Sequence, residues 1–405
     1  MRKHRGDRII AAMTLVLLVA GLIIIYAIGP MRANFLNAAY GGDISENHFF
    51  VRQLVNVVLS VAAFVVAYKM PYEKVRKLGK WVLILGVLLS VALWVLAKAG
   101  SSLAKCELGA CRWINVGSFG SIQPAEFLKL GLVLYLSQLV ASRKAEGKLE
   151  KSDFWLPLAV ASAVSLVLVV VVQQDMGTGV VLIAIILATI LTSGVSLKKF
   201  GLVLAGILVA GVLAIVVSPH RMERVKTFFN GEGSDSYHIE NAMIAIGTGG
   251  LAGVGVGNSV QATGYLPESI NDSVFAVMGE TFGFLGLAAV VVIFVVMLVR
   301  ILRVAELSGD EEQRMVAVGV FAWVAVQMAV NMMAMTGLVP LTGITLPLLS
   351  YGGTSMMFVT IALGLVFQLS CYTRREKELK QKKFSSSHLK KGRLEENASN
   401  RRRRS

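Results

Sequence analysis

Six ionisable side chains of this chain stand among or beside long apolar stretches: Arg112, Glu126, Lys129, Asp175, Asp272 and Glu280. Carboxylates of this kind can accept a proton, and Arg and Lys can hold an anion such as phosphate. Arg112 precedes Trp113 in CRWINVGSFGSIQPAEF, and Glu126 and Lys129 follow three residues apart, on one face of a helix. Asp175 lies in QQDMGTG, while Asp272 in LPESINDSVF begins an apolar block that carries Glu280 further in. Charges at membrane depth are costly and face a bundle interior or a watery cavity. Two plainer readings compete with chemistry. Glu126 and Lys129 form an ion pair that only fixes packing, or Asp272 only caps the helix it begins.

Two irregular stretches accompany these residues. The glycine-rich run IGTGGLAGVGVGNS, Ile246–Ser259, partly resembles a nucleotide fingerprint at Gly247, Gly249 and Ala252. No strand–helix unit surrounds it, and no Walker-type motif occurs in the chain. Its glycines suit tight turns and close backbone approach, with a backbone phosphate cradle as the sharper alternative. Pro340, Gly343, Pro347 and LLSYGGTS (Leu348–Ser355) make the chain before the last helix irregular, and with no charge in residues 338–353 this loop is expected to dip back into the membrane.

The elements that must hold these residues are membrane helices. The chain has 405 residues, 55% hydrophobic and 16% charged, against about 25% charged in soluble domains. The apolar residues form blocks of about 20, the length that crosses a bilayer as helix; a barrel would alternate in short segments. The expected fold is all-α, a polytopic bundle with ten spans: 9–29, 50–69, 80–98, 124–142, 154–173, 177–195, 199–218, 273–302, 315–337 and 354–372. Alternate loops starting from the N-terminus hold 31 Lys and Arg, and the opposite set holds 7. Both termini are therefore cytoplasmic, and residues 218–272 form a long outer loop before the eighth helix. Residues 1–8 make a short cytoplasmic N-terminus.

The tail, 373–405, carries a net charge of +9 of the total +15. Its composition reads as a disordered segment drawn to anionic lipid rather than to nucleic acid. Cys106 and Cys111 share an outer loop, in CELGAC, where a disulfide and two free thiols are equally open.

At these motifs the chain resembles the SEDS family (shape, elongation, division and sporulation), typified by FtsW and RodA. The resemblance runs from RWINVGSFGSIQPAEFLKL through QQDMGTG and YHIENAMIAIGTGGLAGVGVGNSVQATGYLPESINDSVFAVMGETFGFLG to GLVPLTGITLPLLSYGGTS. GVGVGNSVQ followed by YLPE is more similar to the FtsW division branch than to the RodA elongation branch. The resemblance implies a multi-pass inner-membrane glycosyltransferase that polymerises lipid II into glycan strands, acting in the division septum with a class B penicillin-binding protein and other division proteins. It implies that Asp272 is essential and that Arg112, Glu126, Lys129 and Asp175 fall on the family's polar positions. This chain departs from the pattern at Asn271 and Ser273 around the key Asp, at His238 in the family's YQxxQ, at Ala262, and at Thr281 after Glu280.

Glycan extension sends a sugar hydroxyl onto an anomeric carbon that carries pyrophosphate. The hydroxyl needs a base, while the leaving group needs no acid, unlike the glycoside hydrolases with their paired carboxylates. Asp272 is then the expected base, and Arg112 and Lys129 are expected to neutralise pyrophosphate. Glu126, Asp175 and Glu280 would orient those cations or line the substrate cavity. No metal-ligand cluster stands in the sequence, so no cofactor is expected, with Mg or Mn left open as a share of the phosphate load. The rival classes are a lipid II flippase, which wants a midplane site, an elongation-type polymerase, and a non-catalytic scaffold.

Overall fold

The computed structural model describes residues 6–373, apart from 108–109, 118–119 and 231–232. Residues 374–405, and with them nearly all of the basic tail, lie outside the described residues. In chain order the elements are α1 (Arg8–Tyr40), α2 (His48–Lys69), α3 (Tyr72–Lys98), β1 (Ala104–Glu107), β2 (Ala110–Asn115), β3 (Ser121–Ile122), α4 (Pro124–Ala145), α5 (Ser152–Leu166), α6 (Met176–Ser193), α7 (Leu197–Val216), α8 (Pro219–Asn230), α9 (Ser234–Thr248), α10 (Val274–Leu307), α11 (Glu311–Met335) and α12 (Gly353–Ser370). Helix α5 continues as a π-helical turn over Val167–Val172. Among the described residues, ten helices are long and apolar enough to cross a membrane, α8 and α9 being the exceptions. They match the ten expected spans one for one, and the chain is a polytopic helical membrane protein.

Local signals set several ends. Asp7 accepts from the N–H of Ile9 at the start of α1, and Gly41 closes that helix at φ 67°. Asp310 caps α11 through the N–H of Gln313, with Glu311 and Glu312 in the first turn, where the helix dipole favours negative charge. Small residues set the close contacts between helices. A Cβ on Gly131 of α4 would stand 2.5 Å from the Leu83 backbone of α3. Helices α4, α11 and α12 are the most enclosed spans, whereas α7 buries no residue.

Contacts group the loops at the two ends of the bundle as the charge count grouped them. Segments assigned to the cytoplasm meet one another: Lys144 with Glu311 at 2.7 Å, Arg76 with Glu312 at 3.0 Å, and Lys199 with Glu150. The two ends of the membrane domain also meet there, because Asp7 pairs with Arg300 at 2.5 Å and its N–H donates to Ser370 Oγ. Segments assigned to the outside gather at the other end of the bundle.

Two outer segments hold more structure than the expected loops. Residues 218–272 contain α8 and α9, both shorter than the spans and therefore invisible to a search for apolar blocks of membrane length. The loop after α3 forms an antiparallel sheet of order β1-β2-β3. Cys106 and Cys111 are register partners across β1 and β2 and are joined by a disulfide. Alkylation of unreduced protein from intact cells should leave this pair unmodified by mass, and reductant should expose both thiols. Two alkylated thiols without reductant would show the bond absent.

The glycine run is explained by α10. This helix breaks at Gly283, at φ 65° and ψ −168°. The freed backbone groups pair with the run: Val254 N–H donates to Glu280 O and Gly255 N–H to Thr281 O, while Phe284 N–H donates to Gly250 O and Leu285 N–H to Leu251 O. A Cβ on Gly283 would fall 2.4 Å from Gly253 N. The glycines therefore permit close backbone approach. The Val254 and Gly255 N–H groups are spent inside the protein and are not available as a phosphate cradle. The outer half of α10, Val274–Thr281, is buried throughout.

A candidate active site at the head of a broken helix

The site is framed by the non-helical chain between α11 and α12. Leu348 there has φ 66°, and a Cβ on Gly21 of α1 would stand 2.8 Å from the carbonyls of both Leu348 and Leu349. Gly21 lies about 13 residues, roughly 20 Å, from the N-terminal end of α1. The segment therefore re-enters to mid-bundle depth before α12 begins. Irregular backbone at that depth requires protein partners. Gln327 Nε2 donates to Thr345 O at 3.1 Å, Asn331 Nδ2 to Ile344 O at 2.7 Å, and Tyr351 N–H to Ile270 O at 2.8 Å.

Asp272 stands one residue before the cap of the buried half of α10. The capping alternative does not hold. Ser273 occupies the cap position, and its hydroxyl donates to Pro267 O at 2.8 Å. The Asp272 residue is part-buried, yet its Oδ1 is inaccessible and makes no hydrogen bond. Its backbone is held instead, Asn331 Nδ2 donating to Asp272 O at 2.7 Å. Burial, with the Glu268 carboxylate as the next cause, pushes the Asp272 carboxyl up to about 7, against the pull of its own backbone N–H and then of Arg112 and Arg224. A carboxyl with one buried, unpartnered oxygen and its proton held near neutrality is costly to keep and fitted to move a proton.

Arg112, on β2, faces the same spot. A Cβ on Gly343 would stand 3.3 Å from Arg112 Nη1 and 4.0 Å from Asp272 Oδ2. Gly343 has φ 68°, so only glycine is at ease there and leaves the space between the two groups open. Arg112 Nη2 donates to Gln174 O at 2.9 Å, while its Nε is buried without a partner. Asp175 sets that carbonyl. It caps α6 through Thr178 N–H at 2.9 Å and Thr178 Oγ1 at 2.8 Å, and it accepts from Gln123 Nε2 at 3.2 Å.

Glu126 and Lys129 are paired at 2.9 Å and almost fully buried. The Lys129 ammonium also donates to Gln327 Oε1 at 3.2 Å and lies 4.7 Å from the Trp323 ring centroid. Trp323 Nε1 donates to the same Gln327 oxygen at 2.8 Å. A polar ladder thus runs from Glu126 through Lys129 and Gln327 to Thr345, one residue from the Ile344 carbonyl that shares Asn331 with Asp272. Trp323, Gln327 and Asn331 lie four apart on one face of α11. Sequence reasoning missed them, although amides on an apolar span are the signal that would have found them.

Glu280 is not brought to this cluster. Its carboxylate accepts from Ser259 Oγ, from Val260 N–H at 2.9 Å and from Gln261 N–H at 3.2 Å, tying the outer loop to α10. Two departures from the family pattern meet each other here. His238 Nε2 lies 2.6 Å from Ser273 Oγ. Because Ser273 donates to Pro267, His238 must donate through Nε2. Burial lowers the His238 imidazole to about 4, so it stays neutral.

Three comparisons bear on this arrangement. The family model described as "Cell cycle protein" (FtsW, RodA and SpoVE) matches residues 7–375. The chain is 31% identical over 382 residues to Stage V sporulation protein E of Bacillus subtilis, covering 92% of this chain and 99% of that protein. It is 32% identical over 377 residues to the probable peptidoglycan glycosyltransferase FtsW of Nitrosomonas europaea, covering 91% and 93%. Among solved structures, the rod shape determining protein RodA of Thermus thermophilus superposes with a TM-score of 0.64 at 20% identity, over 92% of this chain and 98% of that one. A chain from a peptidoglycan synthase complex that coordinates polymerization and crosslinking superposes at 0.69, also at 20% identity, over 90% and 97%. With the whole membrane domain matched, its motifs in order and its helices superposing, this chain belongs to the FtsW, RodA and SpoVE family of cell-cycle proteins.

Proposed function

We propose that this protein is a peptidoglycan glycosyltransferase that polymerises lipid II at the outer face of the cytoplasmic membrane. The observation that carries the reading is the Asp272 carboxylate, whose Oδ1 is buried without a hydrogen-bond partner, beside Arg112 at the outer end of the bundle. In the step proposed, the acceptor sugar hydroxyl attacks the anomeric carbon of the donor. The bond from that carbon to the pyrophosphate oxygen breaks, and Asp272 takes the hydroxyl proton. Arg112 offsets the charge of the departing pyrophosphate. Asp175 orients Arg112 through the Gln174 carbonyl, and Lys129 and Glu126 act from behind, through Gln327. Glu280 ties the outer loop to α10.

The names of the relatives support this activity, and the FtsW members among them support a role in division at the septum. Polymerisation next to a crosslinking partner, as in the synthase complex, supports a class B penicillin-binding protein as partner, with other division proteins. The tail is proposed to contact anionic lipid. Asp272, Arg112 and Gly343 all sit on segments of the outer end, which favours chemistry on outward-facing substrate over a flippase. The test is purified full chain with fluorescent lipid II, with and without a class B penicillin-binding protein. Glycan ladders are expected; transfer of lipid II across liposomes with no polymer would overturn the reading. EDTA in the same assay reads any share carried by Mg or Mn.

The pH profile gives a sharper check. A base must be deprotonated, so turnover should fall as pH drops through about 7, the value to which Asp272 is pushed. Glu268→Gln removes one cause of that rise and should move the midpoint to lower pH. A flat profile between pH 6 and 8 would show that the group titrating near 7 is not used.

A further inference from the structure

A cavity of about 330 Å³ opens between the cytoplasmic ends of α3 and α4, far from the site above, lined by Arg76, Lys77, Lys80, Trp81 and Gln138. The first four share one face of α3, and Gln138 faces them from α4. Arg76 Nε is 3.0 Å from Glu312, whose other oxygen accepts from Tyr72. Lys80 lies 5.2 Å from the Trp81 ring centroid, a contact that leaves its charge uncancelled. Lys77 and Gln138 have no side-chain partner among the described residues. Three cations thus face one carboxylate, with a spare amide beside them.

The depth matters. Helix α3 has 27 residues, about 40 Å of helix against about 30 Å of hydrocarbon. Its first turns therefore lie at headgroup level. Trp81 lies roughly 13 Å along the axis, at the boundary where indoles collect, and is 58% exposed. Leu85 and Leu88 continue the exposed stripe upward at helical spacing.

We propose that this cavity binds the phosphate headgroup of an acidic phospholipid of the inner leaflet. Lys77 and Lys80 hold the phosphate, Gln138 donates to a headgroup oxygen, and an acyl chain runs along Trp81, Leu85 and Leu88. Charge complementarity selects this occupant, since a zwitterionic lipid would bring its own cation to a site that already holds three.

The test reads Trp81 directly. Full-length protein is placed in nanodiscs containing brominated phosphatidylglycerol or brominated phosphatidylcholine. Quenching assigned to Trp81 is the difference between wild type and Trp81→Phe, which separates this site from lipid gathered by the tail. Each cation near the surface is worth several-fold in affinity, so the preference for the acidic lipid should be on the order of tenfold. The Lys77→Gln/Lys80→Gln variant should bring it close to one; both side chains are outside the packed interior, so folding is retained. Equal quenching by the two lipids in wild type, or an unchanged preference in the double variant, would overturn the proposal. Loss of quenching on adding millimolar inorganic phosphate would overturn the lipid as occupant in favour of the free anion.

Discussion

Asp272→Asn is expected to lose about 10²–10⁴-fold in lipid II polymerisation while the protein gains stability. An amide matches the carboxylate in shape and keeps every backbone contact, including the one from Asn331, but it cannot take the proton. The stability sign follows from the raised carboxyl. Its folded value, about 7, lies above the ordinary carboxyl value of 3.8. The neutral form is therefore favoured by folding below about pH 4, and that advantage is lost as pH rises through 7. Above pH 7 the ionised group costs on the order of 4 kcal/mol. The amide escapes that cost, so thermal unfolding in detergent at pH 8 should shift upward. Asp272→Ala should be equally inactive. Near wild-type polymerisation by Asp272→Asn would remove Asp272 as the base. The alternatives are poor on geometry, since Glu126, Asp175 and Glu280 are each committed to protein donors. A lower melting temperature in the Asn variant would mean instead that the carboxylate is a structural anchor.

The ten spans were legible because each is an apolar block whose length is set by the bilayer, and the charge asymmetry then oriented them. Individual residues of the site were legible as polar interruptions of those blocks. What stayed hidden was whatever depends on two distant segments meeting. Nothing in VMGETFGFLG marks Gly283 as a break until Gly250–Gly255 lies beside it to take its hydrogen bonds. Asp272 at a helix start looked like a cap, and only the placement of Ser273 against Pro267 shows that it is not. Gln327 and Asn331 were overlooked because one polar side chain per turn hardly lowers the hydropathy of α11. Their meaning comes from the carbonyls of Thr345 and Ile344, which belong to a different segment. His238 and Ser273 looked like separate departures from the family pattern, yet they contact each other.

The Glu126–Lys129 pair separates packing from chemistry. Glu126→Ala should destabilise the protein by about 3–5 kcal/mol, because it leaves a buried ammonium without its counter-charge. Lys129→Ala should do much the same by stranding Glu126, whose Oε2 already lacks a partner. The double variant Glu126→Leu/Lys129→Met replaces both charges with apolar groups of similar size, and should recover to within about 1 kcal/mol of wild type. The single costs are therefore far from additive, as expected for residues in contact. Folding restored in this way makes the rate interpretable. If the pair acts by fixing Gln327, and through it Thr345 and the segment carrying Gly343, the double variant should fold yet turn over at least about tenfold more slowly, since small displacements of a positioned base are expensive. Gln327→Leu should reproduce that slowing with the ion pair intact, and with the pH midpoint unchanged because Asp272 keeps its own surroundings. Wild-type rates in both the double variant and Gln327→Leu would reduce the ladder to packing and leave Asp272 and Arg112 to act without it.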